Sequence, residues 1–191
     1  MNFPPDKIRA FVALRMSAET EDAVAGFVES LRGSSPGIGW TRRERLHLTL
    51  RFLGDEVPAE KLERLSPALA EIAATSSAFK IDVRGTGVFP NFNRPRVIWV
   101  GLGSEALMEL AARVEKAAVS AGFASDQRAY KPHLTIGRIR DPRAWRPVRA
   151  RIADTSNLDF GGTRIDSMML YQSRLGFDPA YIQLAQYKFH G

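Results

Sequence analysis

The apolar positions of this chain follow two periods, and each period predicts its own kind of element. Continuous or alternating apolar runs are typical of strands, whereas apolar positions three and four residues apart are typical of amphipathic helices. The strand pattern occurs in seven segments, which are Ile8–Leu14, about Leu46–Leu53, Phe79–Val83, Val97–Leu102, the segment after Pro132, Ser167–Gln172 and Tyr181–Tyr187. Their lengths are those of ordinary strands, so we expect a chain rich in sheet.

The helical pattern occurs three times between these strands. The first helix is predicted from about Ala18 to Arg32, with Gly33 able to end it. The second begins near Pro58, because proline is favoured in the first turn of a helix. The third follows Ser104, a plausible N-cap, and ends near Gly122.

Glycine, proline and asparagine mark the predicted loops. We expect loops at Ser34–Gly39 and around Gly85–Pro95, and we expect the strand that contains His47 to stop at Gly54. The stretch Asp141–Arg151 is basic and punctuated by prolines, so no helix or strand is predicted there.

One four-residue pattern of histidine, apolar residue, threonine and apolar residue occurs twice, at His47 to Leu50 and at His133 to Ile136. The chain has three histidines, and the remaining one, His190, is expected on the surface near the end of the chain. Residues i and i+2 of a strand point to the same face. Each copy therefore presents one imidazole and one hydroxyl, from Thr49 or Thr135, on one face and drives apolar side chains into the core.

The two histidines of the repeat are 86 residues apart, which is too long for a solenoid but suits two similar lobes. We expect a single bilobal domain over residues 1–191, of the α+β class. Each lobe is predicted to be an antiparallel sheet with helices on its outer face. The two lobes are expected to face each other across a central cleft with pseudo-two-fold symmetry.

Composition narrows the class of protein. Apolar residues make up 45% and charged residues 25% of the 191 residues, as in ordinary soluble domains. The absence of cysteine excludes disulfides, thiolate nucleophiles and cysteine-based metal sites, and it fits a cytoplasmic location. No apolar run approaches the ~18 residues of a membrane span, and Met1–Lys7 lacks the features of a secretory signal, so no membrane association is expected. The net charge of +6 favours phosphate-bearing partners, although an ordinary solvated basic surface is the alternative.

Two imidazoles across a cleft suit concerted proton transfer. A neutral imidazole takes a proton from a nucleophile, and a protonated one gives a proton to a leaving group. The hydroxyls of Thr49 and Thr135 can donate hydrogen bonds to the non-bridging oxygens of a phosphoryl group. This two-fold arrangement fits a phosphodiester. No third histidine, cysteine or cluster of acids accompanies the pair, so neither a metal site nor a cofactor is expected.

Further segments around the two motifs match a known family. They are Phe11–Leu14, Trp40, Gly87–Pro90, Arg94–Gly101, Lys131–Arg138 and Leu170–Leu175. With the motifs, they make the chain resemble, nearly from end to end, the RNA 2',3'-cyclic phosphodiesterases. These enzymes are also called the 2'-5' RNA ligase family, a branch of the two-histidine phosphoesterase superfamily.

The resemblance implies a metal-independent hydrolase that opens a 2',3'-cyclic phosphate at an RNA 3' end to a 2'-phosphomonoester. Some relatives also join tRNA halves through 2'-5' linkages in the reverse direction. The resemblance makes His47 the acid that expels the 3' oxygen and His133 the base that activates water, while the symmetry of the motifs leaves the reverse assignment open. It also makes Thr49 and Thr135 phosphate-binding donors.

Two further residues are implied by the resemblance: Phe52 as a stacking partner of the terminal base and Arg138 as a basic group near the phosphate. Strict strand alternation, however, puts Phe52 on the face opposite His47 and Arg138 on the face opposite His133. Either each strand ends or bulges before these residues, or they are not part of the site.

Two other functions remain open from the sequence. A phosphodiesterase acting on small cyclic nucleotides or on ADP-ribose cyclic phosphate needs the same core, and a non-catalytic RNA-end binding module keeps the fold. The basic stretches Arg42-Arg43 and Arg138–Arg151 are candidate RNA contacts. The expected partners are RNA ends with a 2',3'-cyclic phosphate, including tRNA halves, and the chain is expected to act as a monomer.

Overall fold

The computed structural model describes residues 3–33, 35–174, 176 and 180–190, and the account below concerns this part of the chain. Nine strands and four α-helices follow one another there. They are β1 (Ile8–Leu14), α1 (Ala18–Arg32), β2 (Ile38–Trp40), β3 (Leu48–Val57), α2 (Ala59–Ala74), β4 (Phe79–Phe89), β5 (Val97–Gly103), α3 (Glu105–Ser120), β6 (His133–Ile139), α4 (Trp145–Asp154), β7 (Asp159–Ile165), β8 (Ser167–Ser173) and β9 (Tyr181–Lys188). Short 3-10 turns precede β3, at Arg43–Arg45, and α4, at Pro142–Ala144.

All of these strands pair antiparallel in one sheet with the order β7-β4-β5-β6-β3-β1-β8-β9, and β2 is added alongside β6. Each half of this order contains four strands. In the described chain the halves are joined by one residue pair, Leu48 of β3 opposite Leu134 of β6. The predicted α+β class with two antiparallel halves is confirmed, and the junction makes the halves one continuous curled sheet.

The helices tie the two halves together by crossing between them. α1 follows β1 but packs on β7, which belongs to the other half, and α3 follows β5 but packs on β3. α2 packs on α3 and β9, and α4 packs on β4. Burying the apolar stripes of these helices against the sheet forms one core that spans both halves.

The core confirms the predicted inward positions of both histidine motifs. The apolar residues of the motifs and their flanks are buried, namely Leu46, Leu48, Leu50, Leu134 and Ile136. The described helices are too short or too polar to cross a membrane. His190 is exposed, as expected, next to an isolated bridge to Ser77.

Three predicted boundaries are wrong, and in the first two a glycine marks an irregular strand position rather than a strand end or a loop. β3 continues through Gly54, whose φ of +143° suits glycine, to Val57. β4 continues to Phe89 through Gly85, whose φ is +74° and which lies where the register with β5 shifts. The expected loop at Ser34–Gly39 likewise contains the start of β2, although Ser34 itself lies outside the described residues.

α4 and β7 are absent from the sequence prediction. The prolines of the basic stretch favour helix starts rather than loops, because Pro142 opens the 3-10 turn and Pro147 lies in the first turn of α4, where a missing N–H is tolerated. β7 contains Gly161 and Gly162, and its buried and exposed residues alternate only weakly, so its sequence lacks the usual pattern of a strand.

Removing the buried leucine at the junction should weaken the fold. We expect Leu134→Ala to lower the free energy of unfolding by about 2–5 kcal/mol, because the side chain is fully buried and leaves a cavity. Leu158→Ala is the matched control, since Leu158 is 38% exposed and its loss should change stability by less than about 1 kcal/mol. Urea denaturation measures both, and equal effects would contradict the central place of this pair.

Candidate active site

The two histidine motifs meet where β3 pairs with β6. Leu48 and Leu134 lie opposite each other, and on each side of each leucine stands the histidine or the threonine of its motif. Because both leucines point into the core, alternation directs the four neighbouring side chains to the other face. All four are partly exposed. One strand pair thus gathers two imidazoles and two hydroxyls on one surface.

A bulge in β3 decides where Phe52 lies. Thr49 is opposite Ala13 and Phe52 is opposite Phe11, so three residue steps along β3 match two steps along β1. One extra residue reverses the alternation beyond it. Phe52 therefore returns to the face of His47, which is the bulged alternative left open by the sequence.

A second bulge, in β6, does the same for Arg138. Thr135 is opposite Trp99 and Arg138 is opposite Val97, so again three steps of one strand match two of the other. Arg138 therefore lies on the face of His133. The two bulges occupy equivalent places in the two motifs, directly after the threonine, and strengthen the pseudo-two-fold relation.

Each histidine is fixed by the same backbone contact. Nδ1 of His47 lies 2.8 Å from the carbonyl oxygen of Arg45, and Nδ1 of His133 lies 2.7 Å from that of Lys131. A carbonyl oxygen only accepts, so Nδ1 donates in both rings. The free Nε2 of each ring is then left for proton transfer.

Aromatic rings hold the imidazoles from the side. The ring of His47 lies 4.9 Å from that of Phe11 and is nearly perpendicular to that of Tyr181 at 5.0 Å. The ring of His133 is nearly perpendicular to that of Phe89 at 5.0 Å. These contacts fix the ring planes and remove water from part of each imidazole.

Burial and positive charge keep both imidazoles neutral in the free protein. Burial lowers the pKa of His47 and of His133, and the nearby charge of Arg138 lowers both pKa values further. His133 adds a smaller lowering effect on the pKa of His47. The bonds to the backbone carbonyls oppose these effects without reversing them. A site with neutral histidines beside a guanidinium is suited to receive an anion.

Phe52 lies on the predicted face, but its ring is not free on both sides. The guanidinium carbon of Arg9 lies 4.5 Å from the centroid of the Phe52 ring. An ion pair with Asp55 holds that guanidinium in place. One face of Phe52 is therefore covered by a cation–π contact, which competes with the predicted stacking of a base.

The segment leading into the second motif is fastened to the strand of the first. Arg51, whose side chain is 11% exposed, forms an ion pair with Glu115 of α3. The other carboxylate oxygen of Glu115 accepts from the backbone N–H of Asp126 at 2.9 Å. The hydroxyl of Tyr130 donates to the carbonyl of Thr49 at 3.1 Å. These bonds hold the two motifs in register with each other.

Four further residues of this surface are not among the predicted site residues. Tyr181, Tyr171 and Arg15 line a pocket beside His47, and Phe89 supports His133. Tyr171 and Phe89 lie in segments that match the family but had no role assigned, whereas Arg15 and Tyr181 gave no signal. The pairing of β1, β8 and β9 brings Tyr181, Tyr171 and Arg15 to His47. Among the described residues, no three histidine or acidic side chains gather in a way that would hold a metal ion.

Comparisons with known proteins agree on one family. The family model described as the 2'-5' RNA ligase superfamily matches residues 20–176. The RNA 2',3'-cyclic phosphodiesterase of Methanothermobacter thermautotrophicus is 32% identical over 170 residues, which cover 88% of this chain and 91% of the relative. That of Archaeoglobus fulgidus is 37% identical over 169 residues, which cover 88% and 92%.

A solved structure shares the fold over nearly the whole chain. The crystal structure of TT0787 of Thermus thermophilus matches with a TM-score of 0.80 and 26% identity, and the match covers 96% of this chain and 98% of that one. This protein belongs to the 2'-5' RNA ligase superfamily.

Removing the charge of Arg138 should raise the pKa of both site histidines. We expect the Cε1–H resonances of His47 and His133 to titrate at higher pH in Arg138→Gln than in the wild-type protein, because the guanidinium disfavours the imidazolium forms. Arg140→Gln is the matched control, since it removes an equal charge two residues further along. NMR titration measures the histidine pKa values in both variants. Unchanged or lowered pKa values in Arg138→Gln would contradict the placement of Arg138 beside the two imidazoles.

Proposed function

We propose that this protein hydrolyses the 2',3'-cyclic phosphate at an RNA 3' end to a 2'-phosphomonoester, by acid–base catalysis between His47 and His133 and without a metal ion. The observation that carries the proposal is the single strand pair that presents two imidazoles, each with Nδ1 bonded to a carbonyl, beside two threonines. The relatives that bear the name RNA 2',3'-cyclic phosphodiesterase support the substrate.

In the proposed reaction Nε2 of His133 takes a proton from water as the water oxygen attacks phosphorus. The P–O3' bond breaks, and Nε2–H of His47 gives its proton to the departing 3' oxygen. Thr49, Thr135 and Arg138 donate to the non-bridging oxygens, where negative charge grows. The products are a 2'-phosphate and a 3'-hydroxyl, and proton exchange with solvent restores both histidines.

The acid must be protonated although burial and Arg138 lower its pKa in the free protein. A bound phosphodiester brings a negative charge next to His47 and Arg138, and this charge favours the imidazolium. Substrate binding therefore charges the acid when it is needed. When a 5'-hydroxyl takes the place of water as the nucleophile, the P–O3' bond breaks in the same way, and the same groups join two RNA ends, including tRNA halves, through a 2'-5' linkage.

The exposed basic residues favour RNA over a mononucleotide as the substrate. Of the residues predicted to contact RNA, Arg43 is engaged elsewhere. Arg43 forms ion pairs with Glu21 and Asp22, so it is a structural residue first. Arg143 and Arg146 are exposed after β6 and remain the better candidates for phosphate contacts. We propose that the protein acts on RNA as a monomer in the cytoplasm.

Hydrolysis should persist in EDTA. A short RNA ending in a 2',3'-cyclic phosphate should give a 2'-phosphate at an unchanged rate when the chelator is present, because the proposed steps use protein groups alone. Digestion and mass spectrometry identify the product. Loss of activity restored by one divalent metal would contradict the mechanism, and a 3'-phosphate product would reverse the direction of cleavage.

The pH dependence of the rate should be bell-shaped, and its optimum should differ between kcat/KM, which reports the free enzyme, and kcat, which reports the bound enzyme. In the free enzyme both pKa values are lowered, so kcat/KM should be highest on the acid side of about pH 6.5. The two apparent values belong to the coupled pair. The negative charge of the bound substrate should raise the pKa of the acid, so kcat should begin to fall at a higher pH than kcat/KM does. Steady-state rates from about pH 5 to 9 test this, and a flat profile would show that neither histidine transfers a proton.

If RNA contacts the basic surface after β6, the KM of an oligonucleotide should rise steeply with salt. Arg143→Gln with Arg146→Gln should reduce the log–log salt slope by roughly 0.7 for each lost phosphate contact. Arg64→Gln with Lys116→Gln removes the same charge from exposed positions on α2 and α3 and is the control. Equal slopes in both double variants would favour a small cyclic phosphate as substrate.

A further inference from the structure

A pocket of about 330 Å³ opens beside His47, and the catalytic steps above make no use of it. Its lining residues are Arg15, Glu44, Leu46, His47, Tyr171, Tyr181 and Gln183. We propose that this pocket binds the base of the nucleotide that carries the cyclic phosphate, with the ring of Tyr181 as its stacking platform. The inference rests on the proposed function and names the part of the substrate that the site recognises besides phosphate.

The position of the pocket beside His47 indicates that its occupant is the base of the terminal nucleotide. In the proposed reaction His47 protonates the 3' oxygen of the terminal ribose, and the attacking water enters from His133. The base attached to that same ribose must then lie on the side of His47. The pocket shares His47 as a wall, and its volume is in the range of small-ligand sites.

The ring of Tyr181 is held ready for stacking. It is nearly perpendicular to the rings of Phe11, at 5.3 Å, and of His47, at 5.0 Å, with interplanar angles of 77° and 79°. Two near-perpendicular contacts fix the plane of the Tyr181 ring. Tyr181 is partly exposed. A fixed ring loses little conformational entropy when a base stacks on it.

The second tyrosine of the pocket is a support rather than a platform. Tyr171 lies 6.2 Å from Tyr181 with the planes at 50°, so the two rings are too close and too tilted to hold a base between them. Tyr171 is 9% exposed and stacks on Phe11 at 5.4 Å. Phe52, the predicted stacking residue, has one face covered by Arg9. Tyr181 is the ring of this group that combines exposure with a fixed plane.

The polar groups of the pocket can bond the edge of any base. The carboxylate of Glu44 only accepts hydrogen bonds, the guanidinium of Arg15 only donates, and the amide of Gln183 does both. Amino and ring N–H groups of a base can donate to Glu44 or Gln183, and base carbonyls can accept from Arg15 or Gln183. The pocket is therefore expected to recognise the presence of a base rather than its identity.

The test compares two substrates that differ only in the base. Adenosine 2',3'-cyclic phosphate is set against 1,4-anhydroribitol 2,3-cyclic phosphate, which has the same sugar and phosphate but no base. The readout is the ratio of their kcat/KM values, because a general effect on His47 cancels in it. Tyr181→Leu should lower this ratio about 5–100-fold, the size expected for one base on one aromatic ring. Tyr181→Phe, which keeps the ring, should retain the ratio.

A matched pair of glutamines on β9 provides the control. Gln183→Ala should lower the ratio, whereas Gln186→Ala should not, because Gln186 is absent from the pocket lining and donates to Ser167 instead. An equal loss on both substrates in Tyr181→Leu would show that Tyr181 only supports His47, and this would overturn the proposal. A ratio that falls in Phe52→Leu but not in Tyr181→Leu would move the base to Phe52 and overturn it as well.

Failure of the proposed function gives a different result. If the wild-type protein hydrolyses neither cyclic phosphate, that function is wrong, and calorimetry then tests the pocket by binding alone. Adenosine 2'-phosphate should still bind more tightly than inorganic phosphate, and Tyr181→Leu should reduce that preference about 5–100-fold. An unchanged preference in Tyr181→Leu would overturn the pocket proposal independently of turnover.

Discussion

The site depends on one backbone pairing, in which Leu48 of β3 lies opposite Leu134 of β6. Both leucines are buried, so the histidine and threonine beside each of them must point to the other face. A register slip of one residue would bury the polar groups and expose the leucines, which makes the register strongly specified. The same pair joins the two halves of the sheet, and the site therefore forms only when the halves join.

Two bulges bring two further side chains to the same face. Each inserts one residue after the threonine of a motif and returns Phe52 or Arg138 to the site face. The returned arginine has an electrostatic role, because its charge adds to burial in lowering the pKa of both imidazoles. Phe52, in contrast, is partly covered by Arg9. The equivalent positions of the two motifs thus serve different purposes in a site that is otherwise nearly symmetric.

Local patterns predicted much of the fold and the centre of the site. α1 has the predicted bounds because its apolar period and Gly33 are contained in the segment itself. Strand alternation placed the histidine and the threonine of each motif on one face, whereas the pairing of β3 with β6 that brings the two motifs side by side is visible only in the structure. The positions of the bulges could not be predicted, because Leu50 and Ile136 look like ordinary core residues. The one additional residue in each strand is visible only from its pairing with β1 or β5. Tyr181 was missed for the same reason, since only the pairing of β1, β8 and β9 brings it to His47.

The central claim is that the two histidines act as one unit, and a double-mutant cycle in kcat tests it most directly. His47→Ala and His133→Ala should each lower kcat for an RNA 2',3'-cyclic phosphate by about 10²–10⁴-fold or more. The double variant should lose much less than the product of the two factors, because removing either partner already stops the concerted transfer. Circular dichroism should show that the variants stay folded. Independent, multiplying effects, or near wild-type turnover in either single variant, would contradict the account.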